Sequence, residues 1–183
     1  MGLFNSIFGK KSDNKSGKGG YSYILEIARL ITDNETVCSN LKNALDNPDK
    51  YFSENEWRYV ERGIAVNKTD RKALYWLALV DELAEGGCVF EVDYKCELEE
   101  FLRALEQLNN YNLIKSAVSS LDFHEDGDVE VWGEELNAAL SETAFVCYFD
   151  IDSDSYPLTI VEGDVMEKVR CLAAIGGQCI EDF

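Results

Sequence analysis

Histidine is almost missing from this chain of 183 residues: His124 is the only one. A Ser-His-Asp or Cys-His hydrolase centre would need that residue as its base, inside Phe123-His124-Glu125-Asp126-Gly127, which reads as an exposed turn. The same scarcity argues against structural zinc. The six cysteines, Cys38, Cys88, Cys96, Cys147, Cys171 and Cys179, form no C-x-x-C pair, and no second Cys or His cluster completes four ligands. No secretory signal is legible and most cysteines interrupt apolar runs. Reduced, mostly buried thiols in a cytoplasmic protein are therefore expected rather than disulfides. No apolar run is long enough to span a bilayer. Basic residues are few: 17 Lys and Arg stand against 35 Asp and Glu, a formal net charge of -18 that repels phosphate backbones and anionic lipid heads. No nucleic-acid partner is expected, whereas a basic protein or a cation would be drawn in.

Hydrophobic residues make up 46% of the chain and aromatics 11%, enough for a real core and incompatible with disorder throughout. Residues 1–20 differ from the remainder. Leu3, Phe4, Ile7 and Phe8 fall on one helical face and precede a Lys, Ser, Gly and Asn tract with linker composition. Four lysines against Asp13 give this tail a net +3 and leave -21 on the rest. Membrane contact is expected only through residues 1–11, where Gly2 and Ser6 also match a loose acylation pattern, and the competing reading is a tail that packs on its own domain. Residues 21–183 read as one domain.

The central stretch of that domain is 87–108. Phe90 and Val92 alternate with Val89, Glu91 and Asp93 as in a strand, and Leu98, Phe101, Leu102, Leu105 and Leu108 then recur at helical steps. Before it, helices are expected from Tyr21 to Ile31 and through Val37, Leu41, Ala44 and Leu45, the second opened by a Thr32/Glu35 capping box. Asn47-Pro48 stops this second helix. A Ser53/Glu56 box precedes a helix with Trp57 and Val60 that Gly63 would end. From Asp70 to about Glu85 the pattern is apolar nearly all round, so that helix should lie inside the protein, with Gly86-Gly87 ending it. After Leu108, Asp126-Gly127 permits a hairpin, but Asp128 as cap of a helix with Val129, Trp132, Leu136 and Ala139 on one face is preferred. Ala144–Asp150 and Tyr156–Val161 form a hairpin across Asp152-Ser153-Asp154-Ser155. A last helix opens on Asp164 and Glu167, ends at Gly176-Gly177, and precedes a short strand at Cys179–Glu181. The expected class is α+β, with a helical N-terminal half followed by a small, mainly antiparallel sheet covered by helices.

Two carboxylate groupings are the candidates for chemistry. Asp150, Asp152 and Asp154 alternate and could converge on Ca²⁺ or Mg²⁺, though Ser155 and Val161 stand where an EF-hand needs Gly and Glu. Turn residues bonding their own backbone would give the same sequence. Glu91 and Asp93 share a strand face; if their strand lies beside the hairpin, they join those aspartates in a metal or acid-base site. Otherwise they are the charged face of an edge strand. No cofactor is required by the leading reading; Ca²⁺ or Mg²⁺ on Glu91, Asp93, Asp150, Asp152 and Asp154 belongs to the alternative, a metal-assisted hydrolase or small-ligand domain. The leading reading is a non-catalytic, acidic protein-binding module in which Glu91, Asp93, Tyr94 and Tyr156 make contact. Tyr148, Trp57, Trp76 and Trp132 could also line a surface, although aromatics in such a domain are more often core.

The Glu-x-Asp-Tyr-Lys strand (Glu91 to Lys95), the Glu-Leu-Asn-Ala-Ala-Leu helix (Glu135 to Leu140), the Asp-Ser-Tyr-Pro-Leu hairpin (Asp154 to Leu158) and the helix ending Ala-Ala-Ile-Gly-Gly (Ala173 to Gly177) together resemble a bacterial family of small domains of unknown function. The resemblance covers roughly residues 70–183 and implies the same order of strand, hairpin and terminal helix. It brings no activity with it. In size and acidity such domains are similar to the small cytosolic immunity proteins that neutralise toxins.

Overall fold

The computed structural model describes residues 20–183. The tail expected over residues 1–20, with its membrane contact through residues 1–11, lies outside the described residues apart from Gly20. The N-terminal part is helical: α1 (Ser22–Ile31), α2 (Glu35–Asp46), α3 (Pro48–Glu54), α4 (Glu56–Glu61) and α5 (Arg71–Glu85). Strand β1 (Phe90–Asp93) follows, then α6 (Leu98–Glu106), a single 3-10 turn at Tyr111–Leu113, α7 (Lys115–Ser120) and α8 (Val129–Leu140). The chain closes with the β2 (Ala144–Phe149) and β3 (Ser155–Glu162) hairpin, α9 (Gly163–Ile175) and β4 (Ile180–Asp182). The fold is α+β, as expected.

All strand pairs are antiparallel, in the order β1-β3-β2-β4. Side chains alternate across a strand, so the register sorts the sheet into two faces. Val92, Val146, Leu158 and Ile160 point to one face and join Phe101, Trp132 and Leu136 of α6 and α8 in one core. Cys147, Phe149, Val161 and Ile180 point to the other and join α1, α2, α5 and α9 in a second core. Helices thus cover both faces. At the centre of the second core, ten consecutive residues of α5, Leu74 to Leu83, are all buried. Such a helix needs an abrupt exit, and Gly87 supplies it at φ +73°, where a side chain would be strained and would also meet Asn109. Asn109 itself ties the two ends together, its amide donating to Gly86 O at 2.7 Å.

Several local expectations change. Asn34, not Thr32, caps α2, its Oδ1 accepting from Thr36 N at 2.9 Å, while Thr32 Oγ1 accepts from Asn34 N. Pro48 does not merely stop α2; at the first position of α3 its missing N–H is harmless, and it opens a helix that holds Tyr51 and Phe52 in the core. The Ser53/Glu56 box does not form. Helix α4 starts after Asn55 and turns Tyr59 inward, leaving Trp57 55% and Val60 64% exposed. Helix α9 begins at Gly163, before the expected Asp164 box, and a short α7 forms in a stretch to which the sequence reading assigns no element. Asp128 does cap α8, accepting from Val131 N at 3.0 Å, so the helix stands and the Asp126-Gly127 hairpin does not.

Candidate functional site

Strand β1 lies beside β3, which puts Asp93 opposite Ser155 and Glu91 opposite Pro157. The acidic strand and the acidic turn are therefore neighbours, as the combined-site reading requires. Their carboxylates nevertheless face different partners. Glu91 accepts Ser155 Oγ and pairs with Arg62 at 2.7 Å. Asp93 Oδ1 accepts from Lys95 N at 2.8 Å, and Asp150 Oδ1 from Asp152 N at 2.9 Å, both turn-type bonds to local backbone. Asp152 sits at φ +56°, the left-handed conformation that lets the chain reverse here. Glu91, Asp93, Asp152 and Asp154 share the wall of one cleft of about 430 Å³ with Arg62. Among the described residues no group of three or more His, Cys, Asp or Glu is gathered to hold a metal ion.

A second cleft, of about 380 Å³, shares Ser153, Asp154 and Ser155 of the same turn and is lined by aromatic and acidic side chains. Tyr94, Tyr148 and Tyr156 line it with Asp150, Asp154 and Glu181. The backbone that holds these groups is fixed from several directions. Tyr94 N donates to Asp154 O at 3.1 Å, Asp150 N to Cys179 O at 3.1 Å, and Trp76 Nε1 to Asp150 O at 2.7 Å. The rings of Tyr148 and Tyr156 meet edge to face, 4.9 Å apart at 81°, and Phe183 packs against both at 5.0 and 5.7 Å. Tyr148 Oη donates to Glu181 at 2.9 Å, and Tyr156 Oη to Glu130 at 2.7 Å. Burial, and then the bond to Glu130, push the Tyr156 phenol up to about 12. Glu181 receives the Cys179 thiol and the Tyr148 hydroxyl, and these two bonds hold its carboxyl below the usual range. It stays an anion at any neutral pH. Of the residues singled out from sequence, Tyr94 and Tyr156 enter this cleft, while Glu91 and Asp93 line the neighbouring one. Tyr148 becomes a wall, Trp76 and Trp132 are core, and Trp57 lies on the surface.

Sequence reasoning missed a third cluster. Asp81 and Glu82, inside the apolar run of α5, are 8% and 2% exposed. Glu82 accepts from Tyr51 Oη at 2.6 Å, Asn40 Nδ2 at 2.7 Å and Arg58 Nη1 at 2.9 Å. Asp81 pairs with Arg62 at 3.0 Å, and its second oxygen is buried without a partner. Burial raises the Asp81 carboxyl above its ordinary value even though Arg62 pulls it down. Arg58 and Arg62, four residues apart across the α4 C-terminus, thus dock that helix on adjacent acids of α5. Those two signals, an i,i+4 arginine pair and an acidic pair within an apolar helix, are visible in the sequence.

None of these arrangements places a nucleophile against a base and an oxyanion pocket. His124 is exposed and contributes its backbone, the carbonyl accepting Trp132 Nε1 at 2.8 Å. All six cysteines are free, three of them buried. No described helix is long and apolar enough to cross a membrane. Fold and cleft define an α+β domain with an acidic, tyrosine-walled surface at one end of its sheet. The chain belongs to the family described as Domain of unknown function (DUF6630), whose model matches residues 24–183 and so includes the helical half as well as the sheet. No curated protein and no solved structure matches the chain.

Proposed function

We propose that this protein is a non-catalytic binding module of the cytoplasm that takes a basic protein partner on the cleft at the β2–β3 turn, as an immunity-type inhibitor does. The observation that carries the reading is the gathering of Tyr94 and Tyr156 with Asp150, Asp154 and Glu181 around one concave surface. Tyrosine contributes contact area at low entropic cost and is enriched at interfaces, while a net charge of -18 steers a basic surface toward it. The site needs no cofactor for this role. The immunity role rests on size and acidity alone.

The test is affinity capture of the tagged full-length protein from its native host, with a salt-wash series and mass spectrometry. A stoichiometric basic partner that is lost as ionic strength rises, and that is not captured by a D154N/E181Q variant, supports the module. Capture that is indifferent to salt and to the double variant would sink it.

A further inference from the structure

We infer that the tyrosine-walled cleft receives a single arginine side chain of the basic partner. The inference rests on the reading of this cleft as the partner-binding surface and adds the chemistry it selects. Three features point to a guanidinium. Tyr148 and Tyr156 already stand at 81° to one another with both hydroxyls tied to carboxylates, so their rings are oriented before any ligand arrives. A planar cation can lie on one such ring face, where the π-electron quadrupole attracts it. The Tyr94 ring already carries a cation on its face: Nζ of the adjacent Lys95 rests 4.8 Å from its centroid. The third feature is the acidic part of the lining. Among the described residues the Asp154 carboxylate makes no hydrogen bond or ion pair, and Glu181 accepts only from neutral donors, so both anions are available to the forked N–H donors of an arginine. A lysine ammonium would find the charge but not the fork. Lys95 then acts as an internal competitor that must leave the Tyr94 ring when the partner's arginine enters.

The experiment is a ¹H–¹⁵N titration of the full-length protein with N-acetyl-arginine amide, N-acetyl-lysine amide and the neutral isostere N-acetyl-citrulline amide. Saturable shifts at the amides of Tyr94, Asp154, Tyr156 and Glu181 are expected with arginine. Citrulline should bind at least about tenfold more weakly, and lysine should fall between them. K95Q should tighten arginine binding, and this variant changes only an exposed side chain. Equal binding of arginine and citrulline, equal binding of arginine and lysine, or shifts centred elsewhere would overturn the assignment. Salt-sensitive capture of a partner without an arginine response would refute the arginine pocket and leave the binding module standing. Failure of both would remove the surface as a whole.

Discussion

Replacing Glu82 by alanine should be among the most damaging single changes outside the apolar core. Its side chain is 3% exposed and receives a charged donor, a phenol and an amide within 2.6 to 2.9 Å. Deleting the carboxylate leaves the Arg58 guanidinium, 15% exposed, with Glu85 at 3.6 Å as its remaining direct ion pair beside the more distant charge of Asp81, and Glu85 is itself 63% exposed and screened by water. Removing one member of a buried pair costs about 3–5 kcal/mol, and stranding the Tyr51 hydroxyl contributes within that sum rather than beyond it. An expected loss of about 4 kcal/mol corresponds to a fall in Tm of roughly 8–16 °C for a chain of this size. E82Q keeps an acceptor for Tyr51 while losing the charge, so it should cost less, about 1–3 kcal/mol. The assay is urea unfolding followed by tryptophan fluorescence, with m-values compared to confirm that the transition stays two-state. A loss below about 1 kcal/mol for E82A, or equal losses for alanine and glutamine, would show that the network does not hold α4 to α5 as argued.

The pH dependence of stability should carry the signature of Asp81. Its folded pKa is raised, so the native state holds the proton more tightly than the unfolded chain; stability falls as pH rises from the ordinary Asp value of about 4 through the folded value. D81N, which mimics the protonated acid, should flatten that decline, and an unchanged pH profile by urea titration would refute it. Thiol labelling by mass spectrometry should find Cys171, the one exposed cysteine, modified first but slowly, because the Glu167 carboxylate beside it raises its pKa. Labelling of buried Cys147 at the same rate would contradict the packing. Titration with Ca²⁺, Mg²⁺ or Mn²⁺ should leave the melting temperature unmoved, since Glu91 is held by Arg62 and Ser155. A site filled at a hundred times its dissociation constant would instead add about 2.7 kcal/mol, and that shift would revive the metal alternative.

What was legible in the sequence follows from how local each signal is. The strand 90–93, the buried helix 71–85, the Asp128 cap and the β2–β3 hairpin each carry their period or cap within a dozen residues, and each formed. The helix starts read from capping boxes fared worse. Thr32, Ser53 and Asp164 have the right spacing to Glu, but Asn34 caps α2 in place of Thr32, Ser53 lies within α3, and α9 starts one residue before Asp164, at Gly163; only packing decides between adjacent starts. The cleft was half legible. Tyr94 and Tyr156 flank the acidic segments in sequence, whereas Tyr148 and Glu181 meet only because β4 pairs with β2, a contact spanning 33 residues that no periodicity announces.

Glu91 shows why the carboxylates could not be assigned by count. Read from sequence, Glu91 and Asp93 are equivalent, two acids on one strand face. In the fold they separate by a single turn of surroundings: Asp93 caps local backbone, while Glu91 joins Ser155 at the start of β3 to Arg62 at the end of α4, and through Arg62 to Asp81. This chain of contacts crosses from the helical half to the hairpin, and the hairpin is what shapes the cleft. Charge at Glu91 therefore helps to position Arg62 and the start of the hairpin. E91Q should leave an acceptor for Ser155 but weaken the hold of Arg62, loosening the Ser153–Ser155 turn more than it lowers global stability. Amide exchange that speeds up at Ser153, Asp154 and Ser155 while α5 stays protected is the expected result. Uniform acceleration throughout the chain, or none at the turn, would return Glu91 to the role of an ordinary edge-strand charge.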